Sequence, residues 1–303
     1  MARKKKEPSE YEIEAIKQIH AWKHPELTSF ENQFKVVNYA IDKAGDYVLE
    51  TPGLGVAINK SVEGLLKICN DISQATLPES TIFKEFETLT GKEIKSKRDL
   101  FKYDLEVIDK AIGLLAEKYK GLAAVEGAGL GYVGLPGIPA DIVALISLNL
   151  RAIGEYCIYC GFDAKTQHEK LFMMNVLALS SSPSDSSKVI AMSQLVKIAK
   201  EVAKKQPWKV LERHTFVQII KQIAKVLGIR LTKAKLAQLI PVIGALVGGG
   251  FNYYFTSKVT DAAYYLYRER FLAQKYGEDI IEITVTPAAN FDVDYGENIE
   301  IAI

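Results

Sequence analysis

Residues 236–257, LAQLIPVIGALVGGGFNYYFTS, carry no charged side chain, whereas residues 188–235 just before them hold twelve Lys or Arg against two acids, Glu201 and Glu212. How this junction is read decides the fold. An uncharged run of 22 residues is long enough for a helix across a bilayer or for one sealed inside a protein core. Gln238, Pro241 and Asn252 interrupt it and make it a poor simple span, so at a membrane a shallowly inserted element or a helical hairpin suits it better.

Outward from the junction, most of the chain follows a helical period. Phe30, Phe34, Val37, Ile41, Ala44 and Val48 recur at three- and four-residue steps and mark the apolar face of an amphipathic helix. Ser9 to Glu12, Thr28 to Glu31 and Thr166 to Glu169 each have capping-box spacing, in which a hydroxyl and a later carboxylate satisfy free backbone donors at a helix start. Further helices are expected over about 54–75, 98–120, 139–160, 185–204, 211–227 and 241–275, with Gly228 and Gly277 as stops. The expected fold is mainly α: a multi-helix, bundle-like domain with Gly-rich apolar helices and a small C-terminal β element.

The β element is read from alternation after Gly277. Ile281, Ile283 and Val285, then Phe291, Val293 and Tyr295, then Ile299, Ile301 and Ile303 alternate with mostly polar neighbours. Three segments follow: a basic tail over 1–8, a helical domain over 9–277 with a hinge at the Ser- and Pro-containing loop 180–187, and an acidic tail over 278–303. That last tail has seven acids and no base. The three cysteines, Cys69, Cys157 and Cys160, are too few for a disulfide scaffold and suit a reducing compartment. Polar sequence follows MARKKK, so no secretory signal is read and a cytoplasmic location is expected.

A second glycine-rich run spans 121–150, GLAAVEGAGLGYVGLPGIPADIVALISLNL, with Glu126 and Asp141 as its only charges. Its clustered glycines predict a turn-rich loop, and Pro139 with Asp141 suits the first turn of the helix after it. Gly127 with Gly131, and Gly244 with Gly248, have GxxxG spacing, which permits close helix approach in lipid or in a soluble core alike. Gly129, Gly131 and Gly134 have the GxGxxG form but lack the preceding strand that aims such a loop at a pyrophosphate. Cys157 and Cys160 have CxxC spacing without a second ligand pair, so a buried helical pair is expected rather than zinc. No cofactor and no metal site is expected.

Two stretches together resemble the EcsC family: residues 126–163, EGAGLGYVGLPGIPADIVALISLNLRAIGEYCIYCGFD, and residues 241–271, PVIGALVGGGFNYYFTSKVTDAAYYLYRERF. The likeness runs from about Trp22 to Phe271 and shows most in Pro139 to Asp141, Leu150-Arg151, Cys160 to Asp163, Pro241, Gly244 and Asn252. It implies a bacterial, largely helical, membrane-associated or cytoplasmic protein and supplies no reaction.

Three function classes remain open. A peripheral membrane protein on the cytoplasmic face would set Lys197, Lys200, Lys204, Lys221 and Lys225 against anionic lipid, each contributing about 1 kcal/mol near the surface. Pro241, Gly244, Gly248 and Asn252 would then insert or line a groove for an apolar small molecule, while the acidic tail meets a protein partner. In a hydrolase or lipid-modifying enzyme, Glu126 and Asp141 would pair for acid–base work, although Asp141 also suits a simple helix cap and Arg151 with Glu155 reads as a structural ion pair. A nucleic-acid-binding protein would use the basic stretch, but Trp208 and Phe216 are its only Trp, Tyr or Phe, so no stacking platform is apparent.

Overall fold

A computed structural model describes residues 7–24, 53–71, 77–130, 135–181, 191–192, 195–200, 213–237 and 250–281. Its α-helices are α1 (Glu10–Lys23), α2 (Leu54–Asp71), α3 (Glu79–Thr90), α4 (Leu105–Ile112), α5 (Leu115–Leu130), α6 (Ile138–Tyr159), α7 (Gln167–Ser180), α8 (Arg213–Ala237) and α9 (Phe251–Tyr276). Residues 195–200 are helical as well. The expected helices at Thr28 to Glu31 and from Phe30 to Val48 lie outside the described residues.

Local chemistry explains the boundaries. Ser9 Oγ accepts from the Glu12 amide at 3.2 Å and Glu12 Oε2 accepts from the Ser9 amide at 3.2 Å, completing the capping box of α1. At Thr166 the box does not form: its hydroxyl donates to the Asp163 carbonyl at 3.0 Å and the Glu169 carboxylate is drawn to Arg270. The helix expected over 98–120 is divided. Lys97–Lys102 is 3-10, Asp104 caps α4 through the Glu106 amide, and Gly113, at a positive φ of 50°, ends α4 before α5 begins. Pro139 lies in the first turn of α6, and α9 stops at Gly277.

Two glycine readings are corrected. Gly228 does not end a helix; it lies inside α8, where a Cβ would sit 2.7 Å from Val62 of α2, so its missing side chain serves a close crossing. The glycines at 127 and 129 do not unwind α5 either, since that helix runs on to Leu130.

The centre of the fold is α6, in contact with α2, α3, α4, α5, α7, α8 and α9. From Asn149 to Cys160 every residue except Arg151 is buried, the mark of a helix enclosed on all sides. By length and composition α6 also qualifies to cross a membrane, but 72% of its apolar window is buried within the protein. Pairings fix directions. Val143 meets Gly64 of α2 and Gly154 meets Leu77 beyond it, so the chain advances from α2 to Leu77 in the direction of α6. Asn149 bonds Thr256, and Tyr156 meets the Tyr264 ring, so α9 runs that way too. Gly228 with Val62 and then Thr232 with Ser61 turn α8 the other way, and Tyr119 with Glu155 followed by Gly127 with Asn252, which bonds Asp141, turn α5 likewise. One end of the bundle therefore gathers the starts of α2, α6 and α9 with the ends of α5 and α8.

No strand occurs among the described residues. The strand expected to begin at Ile281 does not start there: Glu278–Ile280 is a 3-10 turn and Ile281 is its buried cap. Residues 282–303 lie outside the described residues.

Candidate functional site

The end where those five termini meet holds a buried polar cluster. Asp141 lies in the first turn of α6 and Lys235 in the last turn of α8, each at the helix end whose dipole favours its charge. Lys235 Nζ approaches Asp141 Oδ2 at 2.6 Å, with both side chains less than a tenth exposed. Asn252, in the first turn of α9, ties the pair: its Oδ1 accepts from Lys235 and its Nδ2 donates to Asp141 Oδ1 at 3.4 Å. The ammonium also lies 5.3 Å from the centre of the Phe251 ring, within cation–π range. Gly127 makes room, since a Cβ there would stand 3.0 Å from Asn252 Nδ2.

Glu126 completes the group without sharing in its bonds. Its Oε2 is buried and accepts no hydrogen bond among the described residues. Burial, and next the negative charge of Asp141, raise its pKa, while Lys235 opposes them. Burial lowers the pKa of Lys235, against the pull of Asp141 and Glu126. Lys235 thus spends its charge directly on Asp141 and at longer range on Glu126. Chemically, Asp141 is engaged and Glu126 is the open acceptor.

Of the residues singled out from the sequence, Glu126, Asp141 and Asn252 are therefore neighbours. Lys197, Lys221 and Lys225 are exposed and Lys200 is half-buried, while Lys204, Pro241, Gly244 and Gly248 lie outside the described residues. At about 1.5 Å per residue, Lys225 stands about 15 Å along α8 from Lys235, so the exposed lysines form a flank rather than the tip. Lys235 itself escaped the sequence reading. Only its position at the very edge of the uncharged run sets it apart from its eleven basic companions.

Three of the helices that meet here expose apolar side chains. Leu122 and Val125 of α5 are 49% and 75% exposed, Tyr253 of α9 is 48% exposed, and Val56 in the first turn of α2 is 58% exposed. Among the described residues no group of three His, Cys, Asp or Glu is placed to hold a metal. Cys157 and Cys160 are free and buried in the core, and burial raises both their thiol pKa values.

Comparison with known proteins points one way. A model of the EcsC protein family matches residues 13–272. The chain is similar to "Uncharacterized protein YdbA" of Bacillus subtilis (strain 168), with 27% identity over 203 residues, 66% of this chain and 71% of that protein. It is likewise similar to "Protein EcsC" of the same organism, with 25% identity over 194 residues, 63% of this chain and 75% of that one. No solved structure matches it.

Proposed function

The chain belongs to the EcsC protein family, and from that premise we propose that it is a membrane-surface protein of the cytoplasmic face that rests the Asp141 end of its bundle on anionic lipid. One observation carries the proposal: Val125, Tyr253 and Val56 are exposed near the end where both glycine-rich runs of the sequence leave the described helices, and Leu122, one turn from Val125, extends the apolar face along α5. Leu122 and Val125, three residues apart on α5, share one face of that helix, and exposed apolar side chains grouped in this way mark a contact surface. The occupant follows from charge. Residues 188–235 carry a net +10, and Lys221 and Lys225 stand exposed on the adjoining α8 flank, so an anionic bilayer complements both parts. Aliphatic and tyrosine side chains enter the interface shallowly while the lysines meet headgroups.

Co-sedimentation with phosphatidylcholine vesicles, with and without phosphatidylglycerol, tests this. Binding is expected to need the anionic lipid, to weaken as salt rises, and to fall about tenfold or more in Val125→Asp with Leu122→Asp, which place charge in the interface. Both positions are exposed, so the variants should keep the parent's melting temperature. Indifference to anionic lipid and salt, or unchanged binding by the double variant, overturns the reading.

A second reading rests on Glu126 Oε2, a buried carboxylate oxygen beside Lys235 and Asp141 without a partner among the described residues. Such a group suits general acid–base work on a lipid held at this end. Mass spectrometry of vesicle lipids after incubation tests it. A product that disappears with Glu126→Gln, while vesicle binding stays, supports lipid modification; unchanged lipids remove it.

A further inference from the structure

At the opposite end of the bundle a cleft of about 1120 Å³ opens between α3, the 3-10 segment Lys97–Lys102, the turn after α6 and the start of α7. Partly exposed Phe83 and Phe101 line it beside Phe162. The turn that shapes it is tightly built: Gly161 has φ +82°, and a Cβ there would stand 2.9 Å from the Lys97 carbonyl and 3.0 Å from the Phe101 ring. Nothing but glycine fits this floor without displacing it.

What such a cleft can bind is set by the polar groups that the protein has not already used. Its carboxylates are engaged. Lys97 Nζ bridges Glu79 Oε2 at 2.9 Å and Asp163 Oδ1 at 3.2 Å, and Glu169 is consumed by Arg270 behind the wall. The cations are less committed. Arg98 is exposed and forms no ion pair among the described residues. Lys95 has only a loose contact with Glu93 at 3.7 Å, with the two side chains 77% and 72% exposed, a pairing worth little. Burial depresses the His168 pKa, and its half-buried ring is already engaged by the Thr166 hydroxyl at 3.2 Å, so it adds no charge to the rim. The unspent valence is thus cationic at the rim and aromatic below.

We propose that this cleft binds a soluble organic anion, a phosphate or carboxylate bearing an apolar, ring-sized portion, with Arg98 taking the anion and Phe83 and Phe101 receiving the apolar part. The volume suits a small organic molecule, and inorganic phosphate alone would leave the aromatic faces wet. Arg98 is the residue of choice because its planar fork grips a phosphate or carboxylate through two parallel bonds.

Isothermal titration of the full chain with phenyl phosphate, inorganic phosphate and benzylamine tests the proposal. Phenyl phosphate is expected to bind about tenfold or more tightly than inorganic phosphate, benzylamine not at all, and Arg98→Gln to weaken phenyl phosphate by about 10- to 100-fold, the loss of a charge-assisted pair. The unliganded variant should melt with the parent, because Arg98 is exposed. Absence of phenyl phosphate binding, equal binding of benzylamine, or full affinity in Arg98→Gln overturns it. Vesicles containing phosphatidylglycerol supply the last arm. They should leave bound phenyl phosphate in place, whereas displacement would assign the anion to a lipid headgroup and refute a soluble ligand.

Discussion

The two ends of the bundle treat buried charge in opposite ways. Near the end of α9, Arg270 and Glu169 form a two-pronged pair, fully buried, with the guanidinium 4.1 Å from the Phe162 and Phe172 ring centres and Tyr267 donating to Glu169 at 3.3 Å. Arg268 meets Asp109 at 2.9 Å while Tyr11 donates to the same carboxylate at 2.8 Å. Glu12 receives Lys275, Tyr276 and the Leu105 amide. Arg268 Nε, Arg270 Nε and Asp109 Oδ1 go without hydrogen bonds there, yet each belongs to a group held by its partner through another atom. At the other end, Asp141 has Lys235 and Asn252, but Glu126 has no hydrogen bond or ion pair among the described residues. The first arrangement latches α9 to α1, α4 and α7. The second leaves a carboxylate and several apolar side chains unspent, which is what a contact site requires.

The comparison breaks most visibly if the latch proves dispensable. Arg270→Leu leaves Glu169 buried without its cation and is expected to cost about 3–5 kcal/mol in urea denaturation. Adding Glu169→Leu should recover most of that loss, because a well-packed apolar pair substitutes for a buried ion pair. If the double variant is as unstable as the single one, the pair is not the seat of the effect.

A smaller cost is expected at the other end. Lys235→Met removes the cation from Asp141, but Asn252 Nδ2 and the first turn of α6 still stabilise that carboxylate, so about 1.5–3 kcal/mol should be lost. A loss matching that of Arg270→Leu would erase the distinction between latch and site. Vesicle binding should survive Lys235→Met at temperatures where the variant is folded, since its ammonium is buried and cannot meet a headgroup.

Much of this arrangement is written in the sequence, unevenly. The central helix was legible because Pro139 and the long apolar run after it leave few alternatives. Glu126, Asp141 and Asn252 stood out as polar groups in apolar surroundings, and the fold brings those three together. Lys235 stayed hidden because a charge count cannot tell which lysine of a basic run turns inward. Arg268, Glu269 and Arg270 were missed for a related reason. All three are buried, each satisfied by a different neighbour, so no single-face periodicity reveals them. Gly228 was misread as a stop because composition does not separate a helix end from a close crossing. Hydropathy has the same blindness: α6 is apolar enough for lipid, and protein surrounds it instead.

The smallest expected effect sharpens the comparison most, because it isolates Glu126. Burial, with Asp141 second, raises its pKa in the folded protein above the ordinary carboxylate value. Between those two values the native state holds a proton that the unfolded chain has released, so stability must fall as pH rises through that interval. Glutamine has no such proton. The stability of Glu126→Gln relative to the parent should therefore increase across the interval and level off above it, as read from urea midpoints taken from acid to neutral pH. In a Lys235→Met background the interval should extend to higher pH, because the Lys235 charge that opposes the shift is gone. Parallel curves for parent and Glu126→Gln would mean that Glu126 meets solvent or a partner, and that this end is as well satisfied as the latch.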